Sequence, residues 1–146
     1  MSPFEATPRR APIAYDRVQA TPGNWLRNYG RPIQGLDTAG GPSLQALLEP
    51  NWMRGAVCAS VDPELWFEES DTPSARHAIS LCHECPVRAM CLASALVFRE
   101  EYGVSGGLIP SERRPLETRL ARGEALGEVL SVGLSYSDER NQQGAA

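Results

Sequence analysis

A chain of 146 residues fits one domain, but 13 glycines and 12 prolines put it at the edge of compositions in which part of a chain lacks fixed structure. A formal net charge of −4 and a pI near 5.2 exclude a protein that holds nucleic acid by a broad basic surface, because such binding rests on phosphate neutralisation. No apolar run approaches the roughly 20 residues of a membrane span and no charged-then-apolar leader is present, so a cytoplasmic chain is expected, in which four cysteines read as metal ligands or redox thiols.

Residues 1–42 carry six prolines with scattered Gly and Arg and no sustained period of 2 or 3.6, which predicts a flexible arm; Tyr15, Trp25 and Tyr29 leave a docking role open. Ser43 followed by Leu44, Ala46, Leu47 and Leu48 predicts a short helix with a serine N-cap, stopped by Pro50. Cys58 falls in an irregular stretch, and Asp62-Pro63 leads to Leu65, Trp66 and Phe67. Thr72-Pro73 starts a helix whose Ala75, Ala78, Ile79 and Cys82 recur at i, i+3, i+4 and i+7. After a break near 83–86, a helix over about 87–102 groups Val87, Met90, Cys91, Ala95 and Phe98 on one side. Residues 103–107 form a glycine-rich turn. Ser111 is placed to cap a last helix over about 112–122, closed by Gly123, with Pro115 an obstacle in its first turns. Residues 123–146 mix Gly, Ser and charge and read as a second loose tail.

The cysteines are spaced as Cys58, a gap, then Cys82-x2-Cys85-x5-Cys91. A C-x-x-C turn lets two thiolates converge, a helix starting after Cys85 brings Cys91 to the same side, and a distant thiolate closes the shell. Four thiolates suit Zn²⁺ or an iron–sulfur cluster. Structural zinc sites usually add a second close pair, which is missing, and Cys85-Pro86 is a pairing familiar in cluster motifs. Spacing alone leaves a [4Fe–4S] cluster, zinc and redox-active thiols all open. His83 sits between two cysteines as an alternative ligand or an exposed loop side chain, and His77 reads as helix surface. The β-α-β pattern of a thioredoxin-like site is absent.

The runs Asn51-Trp52-Met53-Arg54-Gly55-Ala56-Val57-Cys58, Asp62-Pro63-Glu64-Leu65-Trp66-Phe67, Cys82-x2-Cys85-Pro86-Val87-x3-Cys91, Gly103-Val104-Ser105-Gly106-Gly107 and Ser111-Glu112-Arg113-Arg114 resemble, in order and gaps, the WhiB-like family of iron–sulfur transcription regulators. The resemblance covers about 51–122. It implies that Cys58, Cys82, Cys85 and Cys91 ligate one [4Fe–4S] cluster that reacts with oxygen or nitric oxide, and that the apo form pairs its cysteines into disulfides. It implies that Trp52, Trp66 and Phe67, with the turn Gly103, Val104, Ser105, Gly106 and Gly107, dock the C-terminal domain (region 4) of the primary sigma factor. It implies that the following basic segment, Arg113, Arg114, Arg119 and Arg122, lies near promoter DNA. Ser105 stands where the family's turn usually has tryptophan.

Other readings stand beside these. The aromatics can simply shield a small core, and the arginines alternate with Glu112, Glu117 and Glu124 as on an ordinary solvated helix. The turn glycines suit backbone conformation better than phosphate binding, since the chain has no lysine for a Walker-type loop. The expected architecture is mostly α: a small bundle of about four short helices around one [4Fe–4S] cluster, with a flexible arm over 1–42, an iron–sulfur domain over 43–122 and a loose tail over 123–146. A monomeric, non-enzymatic regulator is expected, acting with sigma factor or promoter DNA and away from membranes. The rivals are a zinc-stabilised interaction module and a protein disulfide reductase.

Overall fold

The computed structural model describes residues 32–60, 66 and 71–145, and these are helical, with no strand among them. Five α-helices, α1 (Leu44–Leu48), α2 (Pro73–His83), α3 (Arg88–Val97), α4 (Pro110–Ala121) and α5 (Leu126–Ala145), are joined by two 3-10 helices, Pro50–Gly55 and Val57–Ser60. None of these helices is long and apolar enough to cross a membrane.

The helix starts follow the predicted caps. Ser43 Oγ accepts the Ala46 amide at 3.1 Å and Thr72 Oγ1 accepts that of Ala75 at 3.1 Å, each satisfying an amide with no partner inside its helix. On α2 the predicted stripe is buried at Ala75, Ala78 and Ile79. α3 stops at Val97, short of the expected 102, because Arg99 turns the chain at φ 52°. α3 is buried all round from Leu92 to Val97, as befits the helix in the middle of a bundle. α4 begins at Pro110, earlier than Ser111 suggests: Glu112 Oε1 reaches back to the Ile109 amide at 2.9 Å. Pro115 is tolerated inside it on the exposed side. Gly123 closes α4 in a Schellman turn, with Glu124 N–H on Arg119 O at 3.2 Å and Gly123 N–H on Leu120 O at 3.0 Å.

Two segments depart from the expected tails. Residues 126–145 form the longest helix, α5, which packs against α2, α3 and α4. Its buried residues Leu126, Val129, Leu130, Gly133 and Ser137 fall at i, i+3, i+4, i+7 and i+11, a helical stripe that the surrounding glycines and serines disguise as loop composition. The last part of the expected arm is also fastened down. Ile33 is buried and donates its amide to Val97 O at 3.0 Å, while the carbonyls of Asp37 and Ala39 accept the first amides of α5, Leu126 N–H at 2.8 Å and Gly127 N–H at 2.9 Å. This crossing requires glycine, since a Cβ on Gly127 would lie 2.6 Å from the Gly40 carbonyl carbon. Arm residues 1–31 lie outside the described residues.

The main core joins α1, α3, α4 and α5 around Leu47, Leu92, Leu96, Leu120 and Val129. A smaller one, built on Ala75, Ala78, Ile79, Val104 and Ile109, is covered by Trp66 and Cys82.

Candidate metal centre

The four cysteines come from four local structures: Cys58 in a 3-10 turn, Cys82 in the last turn of α2, Cys85 in the following loop and Cys91 in the first turn of α3. The loop is a tight one, with Cys85 N–H on Cys82 O at 3.0 Å and Arg88 N–H on Cys85 O at 3.3 Å, so α2 ends and α3 begins within a few residues. No disulfide joins the four cysteines, and all are partly buried. They converge electrostatically on Cys82: burial pushes its thiol up, Cys91 pushes it further, a hydrogen bond from the Gly107 backbone amide pulls it back, and Cys58 and Cys85 add to the rise. Among the described residues, no three Cys, His, Asp or Glu side chains stand close enough to hold a single metal ion.

The glycine turn forms one wall of this centre. Residues 103–107 are buried, with Ser105 N–H and Leu108 O at 3.0 Å and Leu108 N–H and Ser105 O at 3.1 Å closing the turn. Gly106, at φ 60°, lies on the α3 backbone; a Cβ there would sit 2.7 Å from Leu92 Cα, one residue past Cys91. The turn therefore presses on both α3 and the sulfur of Cys82.

Arg113, expected beside DNA, is instead fully buried. Its Nη1 donates to Gly103 O at 2.9 Å and Leu108 O at 2.8 Å, and its Nη2 to Glu100 O at 3.2 Å, while its Nε has no hydrogen-bond partner. Burial pulls its guanidinium down to about 10, against which Glu117 and then Cys91 hold it up. At neutral pH it remains a cation bolted to the back of the turn. The reason it is not at the surface is position: one turn before Leu116 on α4, it lies on the inward face with Leu116 and Leu120. Arg114 and Arg122 are exposed, and Arg119 is tied to Glu124 through Nη2 at 2.7 Å.

The aromatics lie differently from one another. Trp52 is half-buried against the main core and donates Nε1–H to Leu47 O at 3.3 Å. Trp66 covers the smaller core beside Cys82, and its carbonyl accepts the Val104 amide at 2.7 Å. Of the two, Trp66 is the one beside a cysteine. Phe67 lies outside the described residues. Val104 and Ser105 of the turn are each 7% exposed, so any partner at this face meets neighbours such as Tyr102, which is 49% exposed.

One group of residues was missed entirely. His83, read as a ligand or a loop side chain, is held on both ring nitrogens. Nδ1 lies 2.8 Å from Arg88 Nη1 and Nε2 lies 3.0 Å from Ser137 Oγ. Burial, then Arg88, lowers its proton affinity, which fits a neutral ring that accepts at Nδ1 and donates at Nε2. Asp138 completes the set, 2.9 Å from Arg88 Nη1 and 3.3 Å from His83 Nδ1. Ser137, His83 and Asp138 thus meet like a hydrolytic triad, but Ser137 is fully buried and donates its hydroxyl to Gly107 O at 3.1 Å, so it fastens α5 to the turn. Only the helical stripe of α5, continued to Ser137, marks this contact in the sequence. His77 is exposed on α2, as expected.

Residues 52–116 match the family model of the transcription factor WhiB. The chain is 44% identical over 69 residues to the transcriptional regulator WhiB2 of Mycolicibacterium smegmatis, a match covering 47% of this chain and spanning about half, 53%, of that relative. It is 45% identical over 88 residues to the transcriptional regulator WhiD of Streptomyces coelicolor, covering 56% of this chain and 78% of the relative. It is 39% identical over 79 residues to the transcriptional regulator WhiB1 of Mycobacterium tuberculosis, covering 51% of this chain and 94% of the relative. The family match ends at 116, before α5 begins.

Proposed function

We propose that this chain, which belongs to the WhiB family of transcription factors, is a transcription regulator whose four cysteines hold one [4Fe–4S] cluster and whose activity depends on that cluster being intact. The observation that carries the reading is that the last turn of α2, the tight loop after it and the first turn of α3 bring Cys82, Cys85 and Cys91 into one short segment against the buried glycine turn. The donor set is chemically apt: thiolates are the usual ligands of such clusters, and a buried, mutually repelling set is relieved by metal binding. When bound, the cluster supplies one-electron chemistry and sensitivity to oxygen or nitric oxide.

The chain's own residues do the rest. Trp66 and the buried turn keep water from Cys82, the Gly107 amide orients its sulfur, and Arg88, His83, Ser137 and Asp138 clamp the C-x-x-C segment to α5. Loss of the cluster frees the turn and the half-buried Trp52 and Trp66, changing the face offered to the primary sigma factor's region 4. Of the four arginines expected near promoter DNA, Arg114 and Arg122 are the exposed ones. The experiment is anaerobic binding of cluster-loaded and apo chain to sigma region 4 and to RNA polymerase holoenzyme. The reading expects at least tenfold tighter binding by the loaded form, and equal affinity of the two forms would overturn it.

A further inference from the structure

A buried cation needs either a carboxylate or a full set of acceptors, and Arg113 has neither. It is fully buried, its Nε has no partner, and the ion pairs among the described residues do not include it. Neutral carbonyls take its other donors: Gly103 O and Leu108 O at Nη1, Glu100 O at Nη2. Those carbonyls belong to, or flank, the turn whose opposite side meets the cysteines, through the Gly107 amide at Cys82 and through Gly106 against the backbone beside Cys91. The charge is thus bound to the same turn whose Gly106 packs on the α3 backbone next to Cys91.

We propose that Arg113 is the internal counter-cation of the cluster site, a positioning residue that holds the glycine turn on the cysteines by its three carbonyl bonds and raises the cluster's reduction potential by its buried charge. This rests on the cluster reading given above. A four-iron core with four thiolates is a dianion in its oxidised form and gains another negative charge on reduction, so a nearby buried cation favours the reduced form, and an amide hydrogen bond to a ligand sulfur acts in the same direction. Cys91 lies within electrostatic reach of the guanidinium, as does Glu117, half-buried one turn along α4, which partly offsets it. Arg113 and Glu117 therefore act on the cluster with opposite signs, and both can be tested.

Potentiometric titration of the anaerobically reconstituted full chain, followed by visible and electron paramagnetic resonance spectra, reads this directly. Arg113→Gln is expected to shift the reduction equilibrium against the reduced cluster by about tenfold, which is about 59 mV for one electron. Arg113→Lys, which keeps the charge, is expected to retain more than half of that difference. Glu117→Gln, at a half-buried position, is expected to shift it the other way by about threefold, less because solvent screens that carboxylate. Should Arg113→Gln fail to assemble a cluster, Arg113→Lys and Glu117→Gln decide alone. Loaded protein whose potential is the same in Glu117→Gln as in the wild type, or which falls equally in Arg113→Lys and Arg113→Gln, overturns the counter-cation and leaves the cluster reading intact. A wild-type chain that takes up no iron and sulfide overturns both.

Discussion

Single side chains decide more of this site than their types suggest. Gly106 is required twice over, by a φ of 60° and by the α3 backbone 2.7 Å from where its Cβ would lie. Gly106→Ala therefore combines left-handed strain with overpacking, and a loss of about 3 kcal/mol is expected in denaturant unfolding of the apo chain, compared with about 1 kcal/mol for Gly35→Ala, where a φ of 74° strains the backbone but the Cβ meets open space. Arg113 and Arg114 are sequence neighbours with opposite fates, one buried and one exposed. If the exposed arginines reach phosphate, Arg114→Ala and Arg122→Ala each lower the slope of log affinity against log salt by about one in promoter binding. An unchanged slope in both would assign them to the solvated surface of α4.

At the scale of elements, legibility followed local chemistry. Ser43 and Thr72-Pro73 announce their helices because caps act within a few residues, and the Gly123 stop is equally local. The four cysteines and the turn were legible as motifs, whereas their mutual placement was not, since it depends on what α5 does. That helix was hidden because Gly127, Gly133 and Ser137 are small for packing reasons: Gly133 lets α5 approach Leu116 and Leu92, with a Cβ there 2.9 Å from Leu116 Cδ1. The segment over 33–41 was hidden because it is held mainly by backbone hydrogen bonds, which leave no side-chain period. Arg113 was misread because alternation of charge along a helix looks the same whether one arginine points in or out. The weight of α5 is testable. Ending the chain after Glu124 removes the fully buried Leu126 and Val129 and the nearly buried Leu130, on the order of 5 kcal/mol of apolar burial. That is comparable to the whole stability of a small domain, so the truncated apo chain is expected to lose its cooperative thermal transition by circular dichroism. A transition kept within a few degrees would show that α5 only decorates the fold.

For the whole molecule, the smaller core is thin: Ala75, Ala78, Ile79, Val104 and Ile109 under Trp66 and Cys82. With so little apolar burial around its cysteines, the domain would, under the proposed function, gain much of its folding free energy from the cluster that those cysteines hold. α5 joins the segment over 33–41 at its start and the glycine turn at Ser137, so a change at the cysteines would be felt along the whole helix. With a net charge of −4, promoter contact under the proposed function would need a local patch or a partner already at the DNA. The central claim is tested most directly by purifying the chain without oxygen and quantifying iron, sulfide and zinc beside the visible spectrum, for the wild type and for Cys58→Ala. The account predicts brown wild-type protein with about four irons and four sulfides per chain, bleached by air or nitric oxide, and marked loss of both in Cys58→Ala. A colourless wild-type protein carrying one zinc would contradict it.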